Sequence, residues 1–342
     1  MAVVAPLRDE RGAALHAPHA PQAPHPLHAS ERVWGESNCY VDLWIELLHA
    51  RGQDPLACFG FTVAMDFEGD HWSFFKPPLG DLERLYGIVV EELNLWRALE
   101  LHLAEQIRRG RLAIIEVDAF YLPDTRGTTY HAEHSKTSIA VTAIDPAARR
   151  MDYFHNAGTF TLNGYDFSGI FRHDVLPGSA QLPPYAEMVK LDVLPALTGH
   201  SLTEAALERL NTHFTRRPRT NPIAAYRERF AADIEMLQAG EREAFHRYAF
   251  ANLRQLGASH EIGASFLDWL EARGQTDFAA AAVDFNAIAQ HAKALQFKLA
   301  RTVNTGKPFD IGAAFTPMID AWDRATERLG STRAGQECAE NP

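Results

Sequence analysis

The first place in this chain where residue types point to chemistry is a cysteine, Cys39, directly after two helix-capping residues, Ser37 and Asn38. It would fall in the first turn of a helix, where backbone N–H groups lack intrahelical acceptors and the positive end of the helix dipole favours an anion. A thiol so placed ionises more readily, and the thiolate is the nucleophilic form. Cys58, in the apolar run Cys58-Phe59-Gly60-Phe61, reads as core filler, and Cys338 sits in a polar tail. A cysteine nucleophile needs a base within hydrogen-bond reach and a third group to orient that base. The expected base is His134, which closes His131-Ala132-Glu133-His134 ahead of an aliphatic run at 138–144, with His131 as a competitor. Asn156, at the end of Tyr153-Phe154-His155-Asn156, is the expected orienting group, and His155 is its alternative or a second candidate base. The backbone N–H of Cys39 would be one oxyanion donor and the Asn38 side chain another.

Two more segments are polar where a plain core would not be. Asp66-Phe67-Glu68-Gly69-Asp70-His71-Trp72 mixes acids with aromatics, and Asp118-Ala119-Phe120-Tyr121-Leu122-Pro123 sets an acid at a strand end. Asp66, Glu68, Asp118 and Tyr121 are therefore candidates to bind an amine or hydroxyl of a substrate, although such acids also serve as turn residues and caps. A metal on His131 and His134 with Asp118 or Glu133 would lack a third nitrogen or sulfur ligand, so no metal and no bound cofactor are expected.

The elements that must hold these residues can be read from periodicity. Over 39–51, Val41, Trp44, Ile45 and Leu48 recur at helical steps. A second helix is expected over 93–109. Short runs at 112–117, 138–144 and 151–154 are rich in β-branched and aromatic residues, and the last two, joined at Asp145-Pro146, read as an antiparallel hairpin. The prolines between 177 and 195 mark a connector. From 202 to 329 the pattern is helical, with about five helices broken at Gly240, Gly257, Gly274 and Gly306. The expected fold is thus α+β with an antiparallel sheet, followed by an all-helical domain. The boundaries are a disordered Pro/Ala/His-rich arm at 1–30, a catalytic domain at 31–192, a helical domain at 200–330 and a disordered tail at 331–342. The arm's His16, His19, His25 and His28 have no rigid frame for a metal.

The 342 residues are 46% hydrophobic and 23% charged, enough to bury a sizeable core. Three cysteines without paired spacing argue against a disulfide framework. A formal net charge of −11 disfavours nonspecific nucleic-acid binding. The absence of a long apolar run or a signal-like start leads to expectations of no membrane span and a cytoplasmic location.

Glu36-Ser37-Asn38-Cys39-Tyr40-Val41-Asp42-Leu43-Trp44, Glu116 through Pro123, His134 before its strand, and Phe154-His155-Asn156 resemble an uncharacterised bacterial family of unknown function. Its genes lie beside those for amino acid:carrier-protein ligases and small carrier proteins, and the resemblance spans about 31–191. More distantly the order is similar to the butirosin-biosynthesis H acyltransferase family, in which a papain-like domain precedes a helical one. This resemblance implies a papain-like fold and transfer of an acyl or aminoacyl group from a carrier-protein thioester to an amine or other small acceptor through acylated Cys39. Phosphopantetheine would then be part of the substrate, and an acyl or aminoacyl carrier protein the partner. Arg108, Arg109 and Arg111, or Arg149 and Arg150, are the expected docking cations. No glutamine precedes Cys39 at the papain-like interval, and His134 lies further from the hairpin turn than in the distant family. A papain-like hydrolase, whether peptidase or amidase, and a non-catalytic carrier-binding module are the alternatives.

Overall fold

The computed structural model describes residues 23–173, 182–191 and 193–332. His16, His19, Cys338, most of the arm and most of the tail lie outside the described residues. Pro26–His28 forms a 3-10 turn with Leu27 buried, so ordered chain begins before Glu31.

In chain order the elements begin with α1 (Cys39–Ala50), α2 (Leu79–Tyr86), β1 (Val89–Glu92) and α3 (Leu99–Arg108). There follow β2 (Leu112–Asp118), β3 (Lys136–Asp145), β4 (Arg150–His155), β5 (Gly158–Asn163), α4 (Gly164–Ile170) and β6 (Ala186–Lys190). The remainder is helical: α5 (Gly199–Thr215), α6 (Pro222–Ala239), α7 (Arg242–Tyr248), α8 (Gln255–Ala272), α9 (Ala279–Thr305) and α10 (Ile311–Ser331). The fold is α+β, with a helical C-terminal part.

The chain divides into two compact units that do not follow its order. Among the described residues, the first holds 23–26, 38–53 and 82–196, and the second holds 27–37, 54–81 and 197–332. Residues 54–81, read from sequence as part of the catalytic domain, thus pack with the helical part. Gly60 shows how: a side chain there would press on the backbone of Leu210 in α5.

In the first unit six strands form one sheet in the order β1-β6-β2-β3-β4-β5, every pair antiparallel. The stretch read as a connector supplies β6, which lies between β1 and β2. Its register sets Ile114 opposite Glu187, Glu116 opposite Ser138 and Asp118 opposite Lys136, so these residues share one face by alternation. That face carries α1, which packs on β3 and β4 and whose Tyr40 hydroxyl donates to Glu187 at 2.8 Å. The other face buries Ile115, Val117, Ile139, Val141 and Tyr153 beneath Leu103 of α3 and Phe167 of α4. Helix α1 forms because its apolar stripe meets the sheet and because Asn38 accepts the N–H of Val41 at 3.0 Å. The second helix starts later than its periodicity implied, since Val89–Glu92 is drawn into the sheet.

The second unit contains α5 to α10. Gly257, expected to break a helix, lies inside α8, where a side chain would collide with the indole of Trp34. The glycine there gives a ring room to lie against the helix. Among the described residues no helix is long and apolar enough to cross a membrane.

Candidate functional site

At the end of β2 the first unit opens into a cleft of about 1080 Å³, lined among others by Glu116, Asp118, Tyr121, His134, Lys136 and Tyr165. Asp118 and His134 are hydrogen-bonded to each other in its lining. The Nδ1–H of His134 donates to Oδ2 of Asp118 at 2.6 Å, and the imidazole stacks on Phe120 with centroids 4.4 Å and planes 11° apart. The remaining nitrogen, Nε2, is left for proton transfer. Asp118 also accepts the N–H of Phe120 at 3.0 Å and so caps the 3-10 turn Ala119–Tyr121. The antiparallel pairing of Asp118 with Lys136 delivers the carboxylate to His134, two residues before β3 begins. The cleft wall on α4 depends on Gly169: a side chain there would fall 2.2 Å from the ring of Tyr121. Lys136 pairs with Glu116 at 2.5 Å, and the Arg172 guanidinium donates to the carbonyl of Leu182.

Cys39 stands at the first residue of α1, partly exposed and outside any disulfide among the described residues. The helix it starts covers the sheet face of the Glu116 and Asp118 row, where the Tyr40 hydroxyl bonds to Glu187. The thiol is not among the cleft-lining groups, and no hydrogen bond joins it to His134 among the described residues. Asn38, expected as an oxyanion donor, is buried and gives its amide oxygen to the cap.

Asn156 is not the group that orients His134. It occupies the tight turn between β4 and β5 with φ 47°, a left-handed conformation that asparagine tolerates, while Asp118 holds the imidazole. His155 points to the opposite face. Its Nδ1–H donates to Asp124 at 2.5 Å, and its Nε2 accepts the hydroxyl of Thr137 at 2.8 Å, in a network sealed from solvent. The Tyr153 hydroxyl donates to the same carboxylate at 2.5 Å, and burial followed by the charge of Asp124 pushes this phenol far up. The network ties the turn Pro123–Thr125 to β3 and β4, and the chain from that turn carries His131 and His134. It was not foreseen as a unit, because Asp124 lies far in sequence from the strands it joins.

Asp66 and Glu68 belong to the second unit. They sit in a turn closed by the bridge between Phe67 and Trp72, where Asp66 accepts the N–H of Phe67 and Glu68 accepts the hydroxyl of Ser73. Burial raises the Asp66 carboxyl above its ordinary range despite the Phe67 N–H. The expected docking cations are engaged locally. Arg108 and Arg109 both hold Glu105, whose carboxyl is drawn down to about 2 by their hydrogen bonds, while Arg111 donates to Gln106, Arg149 to Ser168 and Arg150 to Asp152. Among the described residues no three His, Cys, Asp or Glu side chains gather as a metal would require.

Two family models cover most of the chain: the DUF1839 N-terminal domain over residues 23–191 and the DUF1839 C-terminal domain over 199–331. The chain belongs to the DUF1839 family. The two DUF1839 models meet between 191 and 199, whereas the second compact unit also takes 27–37 and 54–81 from the N-terminal side of that junction. The cleft, Cys39 and the His134–Asp118 pair all lie within the N-terminal DUF1839 domain. No curated protein matches the chain.

Proposed function

We propose that this DUF1839 protein is a cysteine-dependent acyltransferase. Cys39 takes an acyl or aminoacyl group from the phosphopantetheine thioester of a carrier protein and passes it to an amine or other small acceptor. The observation that carries the reading is the 2.6 Å pair of His134 with Asp118, on the sheet face whose covering helix starts with Cys39. A papain-like reading is supported by the order of parts: a cysteine at a helix start, an antiparallel sheet, and an imidazole ahead of a strand, beside a carboxylate.

In the first step Nε2 of His134 takes the thiol proton as sulfur attacks the thioester carbonyl, and the departing thiolate takes that proton back. Exchange between thiols of similar basicity makes a thioester a natural donor for cysteine. Catalytic hydrogen bonds are often open before substrate binds, so the absence of a thiol–imidazole bond in the free protein is compatible with this step. Such chemistry with an acyl or aminoacyl carrier protein belongs in the cytoplasm.

One observation favours a second reading. Because Cys39 is not among the cleft-lining groups, His134 and Asp118 would instead activate water directly, giving a hydrolase that does not use the thiol. Incubation with an aminoacylated carrier protein, followed by intact mass measurement, separates the two. Acyl-transfer chemistry places the acyl mass on wild-type protein and not on Cys39→Ala, whereas free acid released equally by both supports the hydrolase. No consumption of the thioester removes both. Iodoacetamide gives a parallel readout, with Cys58 as the internal control: it is 1% exposed and its sulfur lies 3.3 Å from the carbonyl of Pro55.

A further inference from the structure

Both carboxylates that line the cleft already have a partner there: Asp118 holds His134 at 2.6 Å, and Glu116 holds Lys136 at 2.5 Å. Arg172 is the cation left over. Its guanidinium donates to the carbonyl of Leu182 at 2.8 Å and has no carboxylate partner among the described residues, and it is the adjacent His173 that takes Glu100, at 3.0 Å. In a protein with a formal net charge of −11, the cleft lining thus carries as many cations as carboxylates even with His134 neutral. The backbone at Arg172 has a φ of 57°, where its N–H and that of His173 close α4 on the carbonyls of Gly169 and Ser168. Glycine is favoured in such a closing turn because a side chain there is strained, and strain of this kind gathers where a side chain is used. Tyr165 and Gly169 of α4 line the same cleft, and the ring of Tyr165, 64% exposed, lies 6.0 Å from that of Tyr121. Ile170 and Pro184 add apolar wall.

We infer that Arg172 is the anion subsite of this cleft and that it takes the phosphate of the phosphopantetheine thioester. The inference rests on the thioester reading of the cleft, and it holds whether Cys39 or water receives the acyl group. A guanidinium presents paired N–H donors that match two phosphate oxygens, and such charge-assisted bonds are stronger than neutral ones. Beyond the phosphate, the pantetheine arm is uncharged, with amides and a dimethyl carbon. Phenol and hydrocarbon walls can bury such an arm without stranding a charge. The carboxylate of a small acceptor would also satisfy the guanidinium, but it would leave most of a cleft of about 1080 Å³ unfilled, whereas the arm occupies its length. With the phosphate on Arg172, the thioester end is left for His134.

Two alanyl thioesters that differ only in the phosphate, one of pantetheine and one of phosphopantetheine, test the assignment through the KM of thioester consumption. Wild type should take the phosphorylated donor with a KM lower by about tenfold or more, a preference that added salt erodes. In Arg172→Gln the two values should converge, because the phosphorylated donor rises to the level of the other. Arg172→Gly, whose backbone suits the left-handed turn, should lose the preference likewise without lowering the melting temperature, which tells a lost subsite from a damaged fold. Free phosphopantetheine, compared with pantetheine by calorimetry, reads the subsite without turnover. Binding that needs both the phosphate and Arg172, in a wild type that consumes neither thioester, supports the subsite while the thioester reading falls. Equal binding of the two compounds, equal KM for the two donors in wild type, or an equal rise for both in Arg172→Gln overturns the assignment, the last result showing that Arg172 only holds the wall at Leu182. A rise in the KM for glycine as acceptor in Arg172→Gln, with the donor preference intact, gives the subsite to an acceptor carboxylate and overturns the phosphate.

Discussion

Asp118 meets His134 with one carboxylate oxygen and caps a backbone turn with the other, so a single side chain fixes both the imidazole and the Phe120 ring on which it stacks. Asp118→Asn separates these tasks. Its amide oxygen still accepts the Phe120 N–H, while its NH2 faces Nδ1 of His134 and forces the opposite tautomer, in which Nε2 carries the proton and is no longer a base. Transfer activity should fall by about 10²–10⁴ with the melting temperature little changed. A fall in activity matched by a comparable loss of stability would show instead that the cap is the residue's main task.

The sealed network gives a stability prediction. Asp124→Ala removes the acceptor of both His155 and Tyr153 in a site where the imidazole is 3% exposed. The orphaned donors should cost about 3 kcal/mol or more, read as a lower urea midpoint at unchanged slope. The loop through His131 and His134 should become more sensitive to proteases as its tether is lost. A shift under about 1 kcal/mol would mean that water replaces the carboxylate.

Helix α1 was legible because its apolar spacing, cap and nucleophile candidate are contiguous, and the β3–β4 hairpin because its turn residues are. Three strands were not. β1 and β6 are short and pair with each other from opposite ends of the domain, and β5 is mostly exposed, so none carries a strong local pattern. The role of Asp118 was missed for the same reason. Its place beside His134 follows from the register of β2 on β3, which are separated by a loop whose geometry no periodicity encodes. Asn156 looked equally suited by chemistry and is used by the backbone as a turn residue. That 54–81 group with the helical part was not legible because their partners, such as Leu210 beside Gly60, lie far along the chain.

Gly169→Ala tests the cleft wall. The added carbon would lie 2.2 Å from Tyr121, so the ring must leave the surface of α4. Overpacking of this kind costs about 1–3 kcal/mol. The displaced ring also alters the shape of the cleft, so the KM for a thioester substrate should rise several-fold while the rate of Cys39 alkylation by iodoacetamide stays near wild type. Unchanged stability and KM together would place Tyr121 elsewhere in solution.

The second unit supplies a pH prediction. His260 is buried in α8, donates from Nδ1 to the carbonyl of Leu256 at 2.7 Å and packs against Phe285. Burial pulls its pKa down to about 4, against the pull of the Leu256 carbonyl, from an ordinary value near 6.5. Between those values the unfolded chain holds a proton that the native state refuses, so stability rises with pH there. This contribution is intact above about pH 6.5, declines as the pH falls toward 4, and reaches a loss of about 3 kcal/mol below that. His260→Phe keeps the ring and removes the titration, and the Leu256 carbonyl remains within the helix ladder. Urea unfolding at pH 7 should therefore differ little between the two proteins, while at pH 4 the variant should be the more stable. Parallel loss of stability in both between pH 7 and 4 would show that other groups carry the acid sensitivity and that His260 accepts its proton in place.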